Sequence, residues 1–134
     1  GKVRVVHCGV DAAFLGAPIT AVPDVARVVC VGRLCEQKGQ MLLVDAVARL
    51  RDQGVDVELV LAGDGEMRGA VQQVIRAQRL EDRVRITGWV SGDAVRREIL
   101  ESRGLVLASF AEGLPVVLME AMAMEIPVVT TCIT

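Results

Sequence analysis

The sequence lacks the features that identify several large classes of protein. No apolar run approaches the roughly 18 residues that a transmembrane helix needs, and the first residues do not resemble a signal peptide. The net charge is −2, so the chain has no basic excess of the kind that binds nucleic acid. These absences predict a cytoplasmic protein with no transmembrane segment and no nucleic-acid partner.

Metal, disulfide and common catalytic patterns are missing as well. The four cysteines form no C-x-x-C pair and histidine occurs once, which argues against a zinc site or a disulfide framework. Neither G-x-x-x-x-G-K-[ST] nor G-x-S-x-G occurs, which disfavours phosphate-loop NTPases and serine hydrolases. GDGEMRG (63–69) resembles a dinucleotide fingerprint, but its third glycine lies one residue too far along. We expect that segment to form a tight turn with a supporting role.

Lysine is scarce although arginine is common. Of the 15 basic residues, 13 are arginine and only Lys2 and Lys38 are lysine. Lys38 lies in a loop, and its retention in so arginine-rich a chain suggests a position that favours a compact ammonium group over a guanidinium.

Apolar strand patterns and amphipathic helix patterns alternate along the chain. The predicted strands are 25–31, 55–62, 83–87, 105–109 and 126–131, and the predicted helices are 39–52, 66–78, 93–102 and 115–124. This alternation predicts an α/β fold with a doubly wound, Rossmann-like parallel sheet in the order 3-2-1-4-5. Residues 25–134 would form this domain, and residues 1–24 would form a lead-in segment with a strand and turn at VRVVHCGVD (3–11).

The ligand crevice of such a sheet lies beyond the carboxyl ends of strands one and four. The loop after strand one, GRLCEQKG (32–39), carries Arg33 and Lys38 at the start of a helix, where the backbone already favours an anion. Gly32 and Gly39 would allow a tight turn and a close backbone approach. The loop therefore predicts a diphosphate site, and the alternative is that both cations are solvated surface charges.

The loop after strand four leads into the apolar helix of AEGLPVVLMEAMA (111–123). Pro115 is predicted at the first helical position, where it needs no hydrogen-bond partner. The amides left free there belong to Gly113, Leu114, Val116 and Val117. Glu120 would point back towards this end and accept ribose hydroxyls, and Glu112 could do the same for a second polyol. Alternatively, Glu112 caps the helix dipole and Glu120 is an ordinary exposed residue.

Five segments in the same order resemble the donor-binding half of a family 4 retaining glycosyltransferase. They are HCGVD (7–11), VGRLCEQKG (31–39), AGDGEMR (62–68), ITGWVS (86–91) and EGLPVVLMEAMAMEIPVV (112–129). The last segment contains the Glu-x7-Glu pattern of the family in Glu112 and Glu120. The sequence of this segment resembles that of the family members that build bacterial surface polysaccharides. Pro115 and Glu125 depart from the family, which often has glycine at both positions.

The resemblance implies a role for each candidate residue. Arg33 and Lys38 would bind the diphosphate of a UDP- or GDP-sugar and stabilise its charge as it leaves. Glu120 would hold the ribose, and Glu112 with the backbone of Gly113 and Leu114 would face the transferred hexose. Backbone groups of Val90 would lie near the base, and Trp89 would either stack there or belong to the core or an interface. No metal and no cofactor are expected.

The family's enzymes have two Rossmann-like domains with the active site between them. The resemblance therefore implies that the acceptor-binding domain and the end of this domain lie outside the 134 residues. We expect these residues alone to bind the donor weakly, to transfer no sugar and to self-associate through exposed strand edges. Peripheral contact of the full-length protein with a membrane stays open. Two alternatives also remain: a non-catalytic nucleotide-binding module, and a nucleotide-sugar epimerase domain.

Overall fold

The computed structural model describes residues 3–6, 9–16 and 21–132. Five parallel strands form one sheet in the order β3-β2-β1-β4-β5, which confirms the predicted topology. The strands are β1 (Arg27–Val31), β2 (Glu58–Ala62), β3 (Val84–Ile86), β4 (Gly104–Leu107) and β5 (Val128–Thr130). The helices are α1 (Gln40–Asp52), α2 (Arg68–Ala77), α3 (Gly92–Leu100) and α4 (Val116–Ala123), with 3-10 turns at Ala12–Phe14 and Glu36–Lys38.

The strands are apolar because both faces of the sheet are covered. Right-handed crossovers place α1 and α2 on one face of the sheet, because the chain moves outward from β1 to β3. The chain then crosses back through α3 to β4 and continues through α4 to β5 in the opposite direction, which places α3 and α4 on the other face. The core residues that the strands contribute are at most 5% exposed: Val29, Cys30, Leu59, Val60, Leu61, Ala62, Val84, Leu105 and Leu107.

The ends of the elements differ from the predicted ends by up to three residues. The largest difference is at β2, which was predicted from residue 55 and begins at Glu58. The N–H of Val55 donates to the carbonyl of Leu50 at 2.9 Å, so this part of the apolar run closes the end of α1 and does not join the sheet.

The predicted strand in the lead-in segment is wrong for the residues that can be assessed. Residues 3–6 have no regular structure, and Val3 and Val6 are 93% and 87% exposed, because no strand of the sheet pairs with them. Residues 7 and 8 of the same prediction lie outside the described residues. Downstream, Asp11 accepts a hydrogen bond from the N–H of Ala13 at 2.9 Å, and Phe14 packs into the core.

Candidate functional site

The loops that follow β1 and β4 touch each other at the carboxyl edge of the sheet. The N–H of Phe110 donates to the carbonyl of Gln37 at 2.8 Å, and the side-chain amide of Gln37 donates to the carbonyl of Ala111 at 2.7 Å. The two loops that the sequence analysis selected from topology are therefore one structural unit. It lies where the strand order reverses, the usual ligand position in such sheets.

Lys38, Glu112 and Ser109 form a compact network inside this unit. Nζ of Lys38 lies 2.5 Å from Oε1 of Glu112, and the hydroxyl of Ser109 donates to the same oxygen at 2.6 Å. The side chains of Lys38 and Glu112 are only 24% and 10% exposed. From the sequence, these two residues were predicted to contact different parts of a ligand, and neither their ion pair nor the contribution of Ser109 was predicted.

The environment of Glu112 acts on its pKa in opposing directions. Burial raises the pKa, whereas hydrogen bonds from Lys38 and Ser109 and the charge of Lys38 lower it, and the net effect is a pKa below the ordinary value. Glu112 is therefore an ionised carboxylate at neutral pH, and it can only accept hydrogen bonds.

Arg33 is the second cation of the site, and it has a carboxylate partner on a neighbouring loop. Its Nε lies 3.0 Å from Oε2 of Glu66, and both side chains are more than half exposed. The backbone carbonyl of Arg33 accepts a hydrogen bond at 2.8 Å from the side chain of Gln40, which is 2% exposed. No role was predicted for Glu66 or Gln40 from the sequence, although Glu66 lies within GDGEMRG (63–69).

The segment GDGEMRG supports the loop after β1, as its turn pattern suggested. A Cβ on Gly63 would lie 2.0 Å from the carbonyl oxygen of Gly32, and a Cβ on Gly65 would lie 2.3 Å from that of Leu34. Asp64 holds the turn together, because it accepts hydrogen bonds from the N–H of Gly65 at 2.8 Å and from Arg68 at 2.6 Å. The glycines permit a backbone contact that any side chain would prevent.

The start of α4 differs from the prediction. Pro115 has ψ of 89°, which is not helical, so it is the N-cap residue and the helix begins at Val116. The N–H of Leu118 donates to the carbonyl of Pro115 at 3.0 Å. The first-turn amides without a partner in the described ranges are therefore those of Val116 and Val117, and Gly113 and Leu114 lie in the exposed loop before the helix.

Glu120 is half-buried on α4 and accepts no hydrogen bond from the described part of the chain. Burial raises the pKa of its carboxyl group, and the negative charge of Asp11 raises it further. Asp11 belongs to the HCGVD segment, so the resemblance contained a signal for this neighbour although no role was assigned to it. The proximity indicates that the lead-in segment influences the protonation of a candidate binding residue.

We predict that Asp11→Asn lowers the pKa of Glu120. The substitution removes the negative charge, while the asparagine oxygen can still accept the hydrogen bond from the N–H of Ala13. NMR titration of the Glu120 carboxyl carbon in both proteins measures the change. Asp24→Asn is the matched control, and an equal or absent shift in the two variants would contradict the prediction.

The loop before α3 places Val90 and Trp89 differently. Val90 is half-buried and packs against the core, while Trp89 is 78% exposed. Trp89 is therefore not a core residue. Of the roles considered for its side chain, stacking on a ligand and packing at an interface remain.

Three known proteins illustrate what the chain resembles. The family description "Glycosyl transferases group 1" matches residues 25–134. The putative colanic acid biosynthesis glycosyltransferase WcaL of Escherichia coli K12 is 33% identical over 137 aligned residues, covering 97% of this chain and 34% of WcaL. The solved lipopolysaccharide outer core galactosyltransferase WaaB is 31% identical with a TM-score of 0.79, covering 98% of this chain and 37% of WaaB.

The third protein is HepE of Anabaena, whose structure contains UDP-glucose. It is 30% identical with a TM-score of 0.70, and the match covers 80% of this chain and 30% of HepE. The chain thus spans about a quarter to a third of the length of the curated relatives it matches.

Proposed function

The chain belongs to the group 1 glycosyl transferases, and from that membership we propose that it forms the donor-binding domain of a retaining, family 4 enzyme. The parent enzyme would transfer a hexose from a UDP- or GDP-sugar to an acceptor in surface polysaccharide biosynthesis. The observation that carries the proposal is the pairing of Lys38 with Glu112 across the two loops at the edge of the sheet where the strand order reverses, with Arg33 on the same loop as Lys38.

The two cations suit a diphosphate. Lys38 lies on the loop after β1, beside Gly32, where an added Cβ would make an ordinary contact with Cε of Lys38 at 3.8 Å. Within the described residues, the side chain of Arg33 has one partner, an exposed ion pair with Glu66, which costs little to exchange for a phosphate contact. Together they would stabilise the charge on the leaving diphosphate without a divalent metal or another cofactor.

The carboxylates and free amides suit the sugars of the donor. Glu120, which is half-buried and has no hydrogen-bond partner among the described residues, would accept hydrogen bonds from the ribose hydroxyls. Glu112 and the backbone of Gly113 and Leu114 would face the transferred hexose. The amides of Val116 and Val117 would donate to phosphate or sugar oxygens. Backbone groups of Val90 would lie beside the base.

The relatives support the class of substrate. The structure of HepE is a complex with UDP-glucose, and WcaL is named a putative glycosyltransferase of colanic acid biosynthesis. The acceptor site would belong to a second domain of the parent enzyme, because this chain corresponds to about a third of its relatives. The 134 residues alone should therefore transfer no sugar, which a coupled assay of the isolated chain can test.

The proposal predicts saturable binding of one nucleoside diphosphate by this chain. Calorimetric titration with UDP, GDP and ADP should show a preference for UDP or GDP. Lys38→Ala and Glu120→Ala should each lower the affinity for the preferred nucleotide by about tenfold or more, which corresponds to the loss of one charge-assisted hydrogen bond. Arg49→Ala and Glu81→Ala are matched controls, since both side chains are exposed and lie outside the site.

Equal weakening by the control variants, or a preference for ADP, would contradict the proposed donor class. Absence of binding in the parent enzyme as well as in this chain would contradict the donor site itself.

A further inference from the structure

We propose that Ser109 is a positioning residue, which holds one oxygen of Glu112 against Lys38 and thereby presents the other oxygen to the donor sugar. This inference rests on the proposed function, since it assumes that the ligand of Glu112 is the hexose of a nucleotide-sugar. It assigns a function to a side chain that the sequence analysis did not select.

Ser109 is itself held firmly. It follows the end of β4 and is 1% exposed. Its backbone carbonyl accepts a hydrogen bond at 2.6 Å from the hydroxyl of Thr131, and the N–H of Thr131 donates to the carbonyl of Leu107 at 3.1 Å. The continuation of β5 thus fixes the backbone from which the hydroxyl of Ser109 reaches Glu112. A buried donor with so little freedom imposes its geometry on its acceptor.

Both donors in the network approach the same oxygen of Glu112. Nζ of Lys38 and Oγ of Ser109 lie 2.5 Å and 2.6 Å from Oε1. The other oxygen, Oε2, accepts no hydrogen bond from the described part of the chain. Two donors on one oxygen fix the rotation of the carboxylate, and Oε2 keeps its capacity to accept. The group that suits it is a hydroxyl donor, which a hexose carries on several carbons.

Ser109 has a second effect on the same carboxylate. Burial alone would favour the protonated acid, which would donate a proton where the sugar needs an acceptor. The hydroxyl of Ser109 adds to Lys38 in keeping Glu112 ionised. Loss of the hydroxyl should therefore change both the orientation of Glu112 and the pH at which it protonates.

The experiment compares UDP with UDP-glucose as probes in Ser109→Ala. We expect UDP affinity to change by less than about twofold, whereas the advantage of UDP-glucose over UDP should fall roughly fivefold to tenfold, as expected for a weakened hydrogen bond to a charged group. The loss of UDP-glucose affinity on acidification should also begin at a higher pH. Ser109→Thr keeps the hydroxyl and should restore both properties.

Ser102→Ala is the matched control. Ser102 is also fully buried, and its hydroxyl donates to a backbone carbonyl, that of Glu98, at 2.8 Å. If Ser109→Ala and Ser102→Ala lowered stability alike and neither changed the UDP-glucose advantage, Ser109 would be merely structural and the proposal would be overturned.

A measurement without ligand separates this inference from the proposed function. The pKa of Glu112, followed by NMR in the unliganded chain, should rise in Ser109→Ala and stay low in Ser109→Thr. An unchanged pKa overturns the positioning role even if nucleotides bind. A raised pKa in a chain whose parent enzyme binds no nucleotide would support the positioning of Glu112 and refute the donor site.

Discussion

Replacing Lys38 with methionine should weaken nucleoside diphosphate binding by about tenfold to a hundredfold and destabilise the fold by about 2–3 kcal/mol. Under the proposed function, binding falls because the ammonium group proposed to contact the diphosphate is removed. Stability falls because Glu112, with a side chain only 10% exposed, loses the cation that lies 2.5 Å from its carboxylate. Calorimetric titration measures the first effect and urea unfolding the second.

The double variant Lys38→Met/Glu112→Gln distinguishes these two effects. It removes the uncompensated charge together with its partner, so it should recover at least about 1 kcal/mol of the stability lost in the single variant. It should not recover binding, because the cation is still absent. A double variant no more stable than Lys38→Met would show that the ion pair is not the origin of the loss.

Acidification gives the same pair a second test. The pKa of Glu112 in the folded chain lies below the ordinary value of 4.5, so the unfolded chain takes up this proton first as the pH falls. The contribution of Glu112 is therefore complete above pH 4.5 and is lost as the pH falls through the lowered pKa. In Lys38→Met this contribution to the pH dependence should shrink or reverse, because burial then dominates.

Replacing Gly39 with alanine should destabilise the chain by about 3–5 kcal/mol. Gly39 has φ of 63°, and a Cβ there would lie 2.2 Å from the carbonyl oxygen of Ala108, which is backbone and cannot move alone. The loop after β1 would have to separate from the end of β4. That movement would break the contact of Lys38 with Glu112 and raise the pKa of Glu112.

Gly54→Ala is the control for backbone conformation. Gly54 has φ of 77°, but a Cβ there would have no atom within 4 Å, so only the left-handed conformation is penalised, at about 1–2 kcal/mol. The difference between the two variants in urea unfolding isolates the contact with Ala108. Equal destabilisation by both would mean that β4 and the loop after β1 are not packed as described.

Most of the fold could be predicted from sequence because its signals are local. Apolar runs and helical periodicity each involve neighbours along the chain, and the right-handed crossover rule then leaves few sheet topologies. The predicted order 3-2-1-4-5 is the observed order. The same topology selected the loops after β1 and β4 as neighbours. The wrong prediction at residues 3–6 was also local, since a β-branched run forms no strand where no partner strand is available.

The chemistry within the site could not be obtained in this way. Lys38 and Glu112 are 74 residues apart, and Arg33 and Glu66 are 33 apart. Contacts at such separations depend on the exact paths of two loops. The ionisation of Glu112 and Glu120 depends further on burial and on two residues to which no role was assigned from the sequence, Ser109 for Glu112 and Asp11 for Glu120.

The sequence by itself therefore determined the membership among the glycosyl transferases, the sheet and the two loops that carry the candidate residues. The tertiary structure decided which cation pairs with which carboxylate, which oxygen of Glu112 is free and which carboxyl group has a raised pKa. The physical reason is that periodicity and turn chemistry depend on a few consecutive residues, whereas hydrogen bonds and desolvation depend on distances of a few ångströms between segments far apart in the chain.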